Sequence, residues 1–194
     1  MLDILKAQNR IRALDLVPVR WGRMSASPWT FFRGAAAVMA ADLAARRHSG
    51  LTVQLCGDAH LLNFGLWATP ERNLSFDLRD FDETLPGPFE WDVARLVTSI
   101  EVLAREHGGN SAAAIAQCLT AYRTQIARHA GAHILDTWYD LIHVDRFLSV
   151  FTDADRPRAA AHIARKAQRR THRGVLRKLT EIRDDRLRIS EDPP

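Results

Sequence analysis

Asp58, His60 and Asn63 fall within six residues of the stretch QLCGDAHLLNFG, Gln54 to Gly65, and Asp80 and Asp82 follow in RDFDET. The pattern is G-D-x-H-x-x-N, then two carboxylates from residue 80 onward. Phosphoryl transfer calls for these types. It needs a carboxylate beside the attacking hydroxyl and oxygen ligands that hold Mg²⁺ against the phosphates. Asp58 fits the first need; Asn63 and Asp80 fit the second, and either Asp82 or Glu83 could take a second Mg²⁺ while the other caps a loop. Two other readings compete. Asp and Asn favour turns, so the first three residues could cap one. His60 among acids could serve a metal-dependent hydrolase, although zinc hydrolases take two or more histidines at defined spacing. His60 itself could be a third metal ligand, a general acid/base or, the slightly preferred role, a residue that holds the loop.

Such residues need a frame to bring them together. LTVQL, Leu51 to Leu55, favours a strand. NFGLWAT and NLSFDL read as a hairpin turned at residues 70–73, with Leu74, Phe76 and Leu78 alternating against polar neighbours. That hairpin would return Asp80 to the neighbourhood of Asn63. Upstream, residues 2 to 14 predict a helix, and VPVRWGRMSASP breaks it through Pro18, Gly22 and Pro28. Ser27 and Pro28 then start one long helix to Ser49-Gly50, with Phe32, Ala35, Ala36, Met39 and Leu43 facing a core. Downstream, FEWDVARLVTSIEVLAREH predicts a helix stopped by Gly108-Gly109. Residues 111 to 130 predict another, with Ile115, Leu119, Tyr122 and Ile126 on one stripe. DTWYDLIHVDRFLSVF predicts a third, and a long basic helix runs from about residue 154 to Leu187, before a loop ISEDPP. The expected class is α+β, mostly helical, with a small β element carrying the site. A domain over 1–150 and a basic helical extension over 151–194 complete the division.

Arg20, Arg23 and Arg33 precede the motif. Arginine forks recognise phosphate, which makes Arg33 a candidate for cofactor binding; ion pairs to the acid-rich 77–92 segment are the alternative. Arg33 lies in an apolar stretch, and a buried arginine there would need a carboxylate partner. Trp21, Trp29 and Trp91 are expected in the core. Asp92, at a helix start, is expected to bond backbone amides or an arginine rather than to do chemistry.

The composition is that of a globular protein, with 46% hydrophobic and 26% charged residues and a net charge of +4. No stretch has the length and apolarity of a membrane span, and the first residues lack the apolar core of a secretory signal. The chain reads as cytoplasmic with no membrane insertion. Cys56 and Cys118 form no CxxC pair and are expected reduced and buried. The basic run Arg165 to Leu179 could meet RNA, an anionic membrane surface or a nucleotide, or be a solvated helix face. The lack of interleaved aromatics argues against nucleic acid.

CGDAHLLN followed by LRDFD resembles the signature of aminoglycoside phosphotransferases and related small-molecule kinases, with Cys56 where those enzymes have histidine. That resemblance implies Asp58 as catalytic base, Asn63 and Asp80 as metal ligands, and a kinase-C-lobe-like helical domain. FEWDVARL is similar to the helix that follows the motif in that superfamily, which implies Asp92 as an anchor. A second resemblance covers nearly the whole chain. LVPVRWGRMSASPWTFFRGAAAVMAADLA, the segment from VQLCGDAHLLNFG to FEWDVARL, and ARKAQRR are similar to the bacterial domain of unknown function family 2252. Its members are about twice this length, and their second half carries what resembles a glycine-rich loop and a lysine-bearing strand. This implies that the chain corresponds to a catalytic-loop half, completed by a further segment or a partner chain. It contains no G-x-G-x-x-G of its own. The functional expectation is a Mg²⁺-dependent phosphotransferase-like protein using ATP or another nucleotide on a small molecule. The alternative is a non-catalytic binding or regulatory module on a kinase-like fold.

Overall fold

The computed structural model describes residues 1–69, 73–169, 180–183 and 186–189. It is α+β and mostly helical, with small antiparallel sheets. Two compact units divide it, Met1–Leu141 and Ile142–Pro194.

The first unit opens with α1 (Leu2–Asn9), α2 (Val17–Met24), α3 (Pro28–Gly34) and α4 (Ala36–Ala44). The helix α2 occupies the segment expected to be a break. Pro18 sits in its first turn, where its missing N–H and fixed φ are tolerated. A Cβ at Gly22 would meet open space, so neither residue obstructs the helix. Its apolar side matters more: Trp21 and Met24 pack on a core of Leu5, Ala35 and Val38. Ser27 caps α3 by a capping box with Thr30, and Pro28 is in its first turn.

The long helix expected from residue 28 onward is instead two, parted at Ala35 (φ −119°, ψ 35°). Two carbonyl groups next to the break are taken by arginines. Arg20 Nη2 donates to Gly34 O at 2.7 Å, and Arg95 Nη2 donates to Phe32 O at 2.7 Å. Arg20 also donates to Asn9 Oδ1 at 3.2 Å. Its fork therefore ties α1, α2 and the α3–α4 junction together rather than reaching the acid-rich segment. Periodicity could not show the break, because its partners lie on other helices: Arg20 takes the Gly34 carbonyl, and Arg95 joins the Ala35 N–H at the Phe32 carbonyl.

Next come β1 (Thr52–Leu55), β2 (Phe64–Ala68), β3 (Leu74–Leu78) and β4 (Leu85–Pro88). β2 and β3 form the expected hairpin, pairing Phe64 with Leu78 and Ala68 with Leu74. The turn residues 70–72 lie outside the described residues; Thr69 N–H donates to Asn73 O at 2.8 Å beside them. β1 pairs with β4, which was not foreseen because LPGP has two prolines. A strand with one neighbour tolerates them, since a proline can face away from the ladder.

α5 (Glu90–Glu106) and α6 (Ala112–Ala130) follow, then the short α7 (Ile134–Trp138). Glu106 Oε2 accepts the Trp29 N–H at 2.9 Å, an acid at the start of α3 that also joins it to the end of α5. Trp29 is buried, whereas Trp21 and Trp91 are half-buried. The stripe expected on α6 is mostly uncovered. Ile115 is half-buried, but Leu119, Tyr122 and Ile126 are exposed, and Tyr122 stacks on Phe89 with centroids 6.3 Å apart.

The second unit holds β5 (Ile142–His143), α8 (Val144–Leu148), α9 (Arg156–Arg169), β6 (Thr180–Arg183) and β7 (Arg186–Ile189). The single helix expected over DTWYDLIHVDRFLSVF is thus α7, β5 and α8. The long basic helix does not reach Leu187: the described residues hold it as α9, and from Thr180 onward they form β6 and β7, which pair antiparallel. TEIR and RLRI alternate apolar and polar residues, a period of two that competes with the helical reading. Most of the basic run Arg165 to Leu179 lies outside the described residues. Among the described residues no helix is long and apolar enough to cross a membrane.

Candidate functional site

The motif leaves β1 as a loop, Cys56 to His60, that a short 3₁₀ turn (Leu61–Asn63) joins to β2. Gly57 has φ +87°, and a Cβ there would lie 1.9 Å from the carbonyl oxygen of Glu83. Only glycine meets both conditions.

One face of α5 holds this loop. Asp92, Arg95 and Ser99 recur at helical spacing and each takes a different part of it. Asp92 Oδ2 and Oδ1 accept the N–H groups of Cys56 at 2.7 Å and Gly57 at 3.0 Å, the first of the two roles expected of it. Arg95 Nε donates to Asp58 Oδ1 at 2.8 Å. Ser99 Oγ accepts from Leu61 N–H at 3.1 Å and donates to Leu96 O at 2.6 Å. Arg95 is 2% exposed and Ser99 is fully buried.

The buried arginine that requires a carboxylate is therefore Arg95, which sequence reasoning did not single out. Its Nη1 also points to Met39 Sδ at 3.7 Å, and its Cζ stacks 3.7 Å from the Phe32 ring centroid. Burial lowers its pKa while the Asp58 carboxylate pulls it back up. Arg33, by contrast, is exposed. The available signal was polar residues spaced three and four apart on a mostly apolar helix.

His60 is 3% exposed, edge-on to Trp29. Its Nδ1 accepts the Leu62 N–H at 3.1 Å, so that nitrogen carries no proton and the neutral ring is protonated on Nε2. Nε2 lies 3.6 Å from Asp58 Oδ2. Burial lowers the His60 pKa most; Asp58 raises it, and the charges of Arg33 and Arg95 lower it further. Both ring nitrogens are directed at groups of the loop, which suits holding the loop more than proton transfer to a substrate.

A histidine held neutral has a consequence for stability. Between its folded pKa and the usual value near 6.5, the unfolded chain binds more protons at this site than the folded one. Stability is then full above about pH 6.5 and falls as pH drops through this window. The melting temperature of the wild type should fall more from pH 7.5 to 5.5 than that of His60→Asn. Parallel curves would remove His60 from the pH response.

Asn63 Nδ2 donates to Asp58 O at 2.5 Å. A carbonyl can only accept, so the amide nitrogen must face it and Oδ1 must face the other way. The hairpin register brings β3's end alongside: Arg79 N–H donates to Asn63 O at 2.9 Å, and Arg79 Nη2 to Leu62 O at 2.8 Å. Asp80 follows directly. Its own carbonyl accepts the Cys56 thiol at 3.4 Å, and its Oδ1 accepts Asp82 N–H at 3.3 Å. Asp80 and Asp82 are exposed. Of the residues singled out from the sequence, Asp58, His60, Asn63 and Asp80 are thus joined in one bonded loop system. Asp82 touches it through its backbone, and Arg33 acts on it through space.

Among the described residues no group of three or more His, Cys, Asp or Glu is placed to hold a metal. A Mg²⁺ site needs less, since the ion keeps several waters and takes one or two carboxylates plus substrate phosphates. Asn63 Oδ1 and the Asp80 carboxylate are a donor set of that kind. Cys56 is buried, and burial raises its thiol pKa; Cys118 is half-buried, and both are free.

The fold and site define a mostly helical α+β protein whose acidic loop is clamped by one helix and extended by a hairpin. The chain belongs to DUF2252, described as an uncharacterized protein conserved in bacteria, whose family model matches residues 12–194. No curated protein and no solved structure matches it.

Proposed function

We propose that the chain carries the acceptor-orienting and metal-holding part of a Mg²⁺-dependent phosphotransferase acting on a small molecule. The observation that carries this reading is the orientation of Asn63. Its amide nitrogen is fixed by Asp58 O, its oxygen faces away, and the Asn63–Arg79 backbone bond sets Asp80 beside it.

Asn63 Oδ1 and Asp80 would hold the ion, with Asp82 the next carboxylate along. Mg²⁺ would neutralise charge on the transferred phosphoryl group. Asp58 Oδ1 is engaged by Arg95, so Oδ2 is the oxygen left to receive the acceptor hydroxyl. In a loose transition state this task is more orientation than early proton removal. Arg95, Asp92, Ser99 and His60 hold the loop, and Arg33 lies at the exposed side where a phosphate could be met. The sequence has no G-x-G-x-x-G, so these residues do not by themselves fit a nucleotide's phosphates. The reading is confined to the acceptor and the metal.

The buried Asp58–Arg95 pair favours one other reading, a binding or regulatory module in which Asp58 serves to neutralise Arg95. Phosphoryl transfer from ATP or acetyl phosphate to hydroxylated small molecules separates the two. The enzyme reading predicts Mg²⁺-dependent product that Asp58→Asn lowers about 10²- to 10⁴-fold, at unchanged circular dichroism. Equal product from wild type and Asp58→Asn, or no Mg²⁺-dependent product from acetyl phosphate, a donor that needs no nucleotide site, selects the module.

A further inference from the structure

A cavity of about 820 Å³ opens between α3 and α4 on one side and α5 on the other. This lies within the range of small-molecule sites, about 300–1,000 Å³. Phe31, Val38 and Leu43 line it from the first side, Ala94 and Val102 from α5. All three methionines of the sequence, Met1, Met24 and Met39, line it as well. Methionine side chains adapt to irregular apolar partners, and their gathering at one cavity is what a binding surface uses.

Its charged groups decide the class of occupant. At the floor, the Arg95 donors are turned to Asp58, the Phe32 carbonyl and the Met39 sulfur. At the rim, Asp42 on α4 and Arg46 just past its end are exposed and opposite in charge. An anionic head group finds no free buried cation here, and an ammonium finds no buried carboxylate. A charged ligand would lose hydration without a partner.

We propose that this cavity binds an uncharged apolar small molecule. Phe32 and Met39 both line it and both grip Arg95, so an occupant packs directly on the clamp that holds Asp58. Asn63 and Asp80 take no part in it, which makes the inference independent of the phosphotransferase reading.

The test is fluorescence titration of the full chain with N-phenyl-1-naphthylamine, an uncharged apolar probe. Saturable binding of one probe per chain is expected. Val102→Trp, which fills the cavity, and Leu43→Arg, at a half-exposed position that tolerates charge, should each weaken it at least ten-fold with unchanged circular dichroism. Trp138→Ser, on the exposed apolar side of α7, and Asp80→Asn should leave it alone. Failure to saturate, absence of signal at the probe's solubility limit, or loss with Trp138→Ser but not the cavity variants would overturn the proposal. So would a dimer in sedimentation that the cavity variants dissociate, since a second copy would then be the occupant.

Discussion

Arg95→Met is expected to lower the unfolding free energy by about 3–5 kcal/mol, the cost of removing one partner of a buried ion pair. Asp58 Oδ1 loses its donor, and the Phe32 carbonyl at the α3–α4 break keeps only the Ala35 N–H at 3.2 Å. The Asp58 side chain is 17% exposed, so water can relieve part of the loss, and the lower end of that range is expected. The methionine replaces much of the packing of the arginine stem against Phe32, which isolates the electrostatic part. In the double variant Asp58→Asn/Arg95→Met the carboxylate is no longer charged, so the two losses should be less than additive by more than about 1 kcal/mol. Urea unfolding of the four proteins measures this. Additive losses would show that Asp58 and Arg95 do not form the clamp described.

Gly57→Ala should be of similar severity for a different reason. The residue sits at φ +87°, where an L side chain is strained, and its Cβ would fall 1.9 Å from the Glu83 carbonyl oxygen. Backbone cannot swing aside as a side-chain tip can. Glu83 lies between Asp82 and the strand β4 that pairs with β1, so moving it disturbs the frame on both sides. Strain alone is about 1–3 kcal/mol, and the displaced loop would also lose the Asp92 bonds to the Cys56 and Gly57 amides. A total of about 3 kcal/mol or more is expected from urea unfolding. A loss below about 1 kcal/mol would mean that the loop is not held where its bonds place it.

These two residues also mark the limits of reading the sequence. The hairpin was legible because Leu74, Phe76 and Leu78 alternate in a short segment bounded by turn residues, a local signal. Asp92 was legible because an acid at a helix start has few roles. The mostly helical α+β class followed from the same periodicities. Arg95 was hidden because its partners, Asp58, Phe32 and Met39, are 37 to 63 residues away in sequence. Apolar periodicity cannot distinguish a buried arginine from one that snorkels to solvent. Arg33 drew attention by its apolar neighbours, yet it is exposed. α2 was missed because Pro18 and Gly22 were weighed as breakers, while tertiary packing of Trp21 and Met24 outweighs their propensity. β4 was missed because prolines are rare in strands, except where a strand lacks a second neighbour. On α6 the stripe was correctly periodic, but periodicity shows only that a face is apolar and not that something covers it.

The proposed divalent-cation site consists of Asn63 Oδ1 and the Asp80 carboxylate at the mouth of the hairpin. Titration with Mn²⁺, followed by electron paramagnetic resonance as a stand-in for Mg²⁺, tests it without any substrate. The account predicts one saturable site per chain that Mg²⁺ displaces. Asn63→Leu and Asp80→Asn should each weaken it at least ten-fold, and Asp77→Asn on the exposed face of β3 should leave it unchanged. Binding that Asn63→Leu and Asp80→Asn do not alter, or no binding at millimolar Mn²⁺, would contradict it.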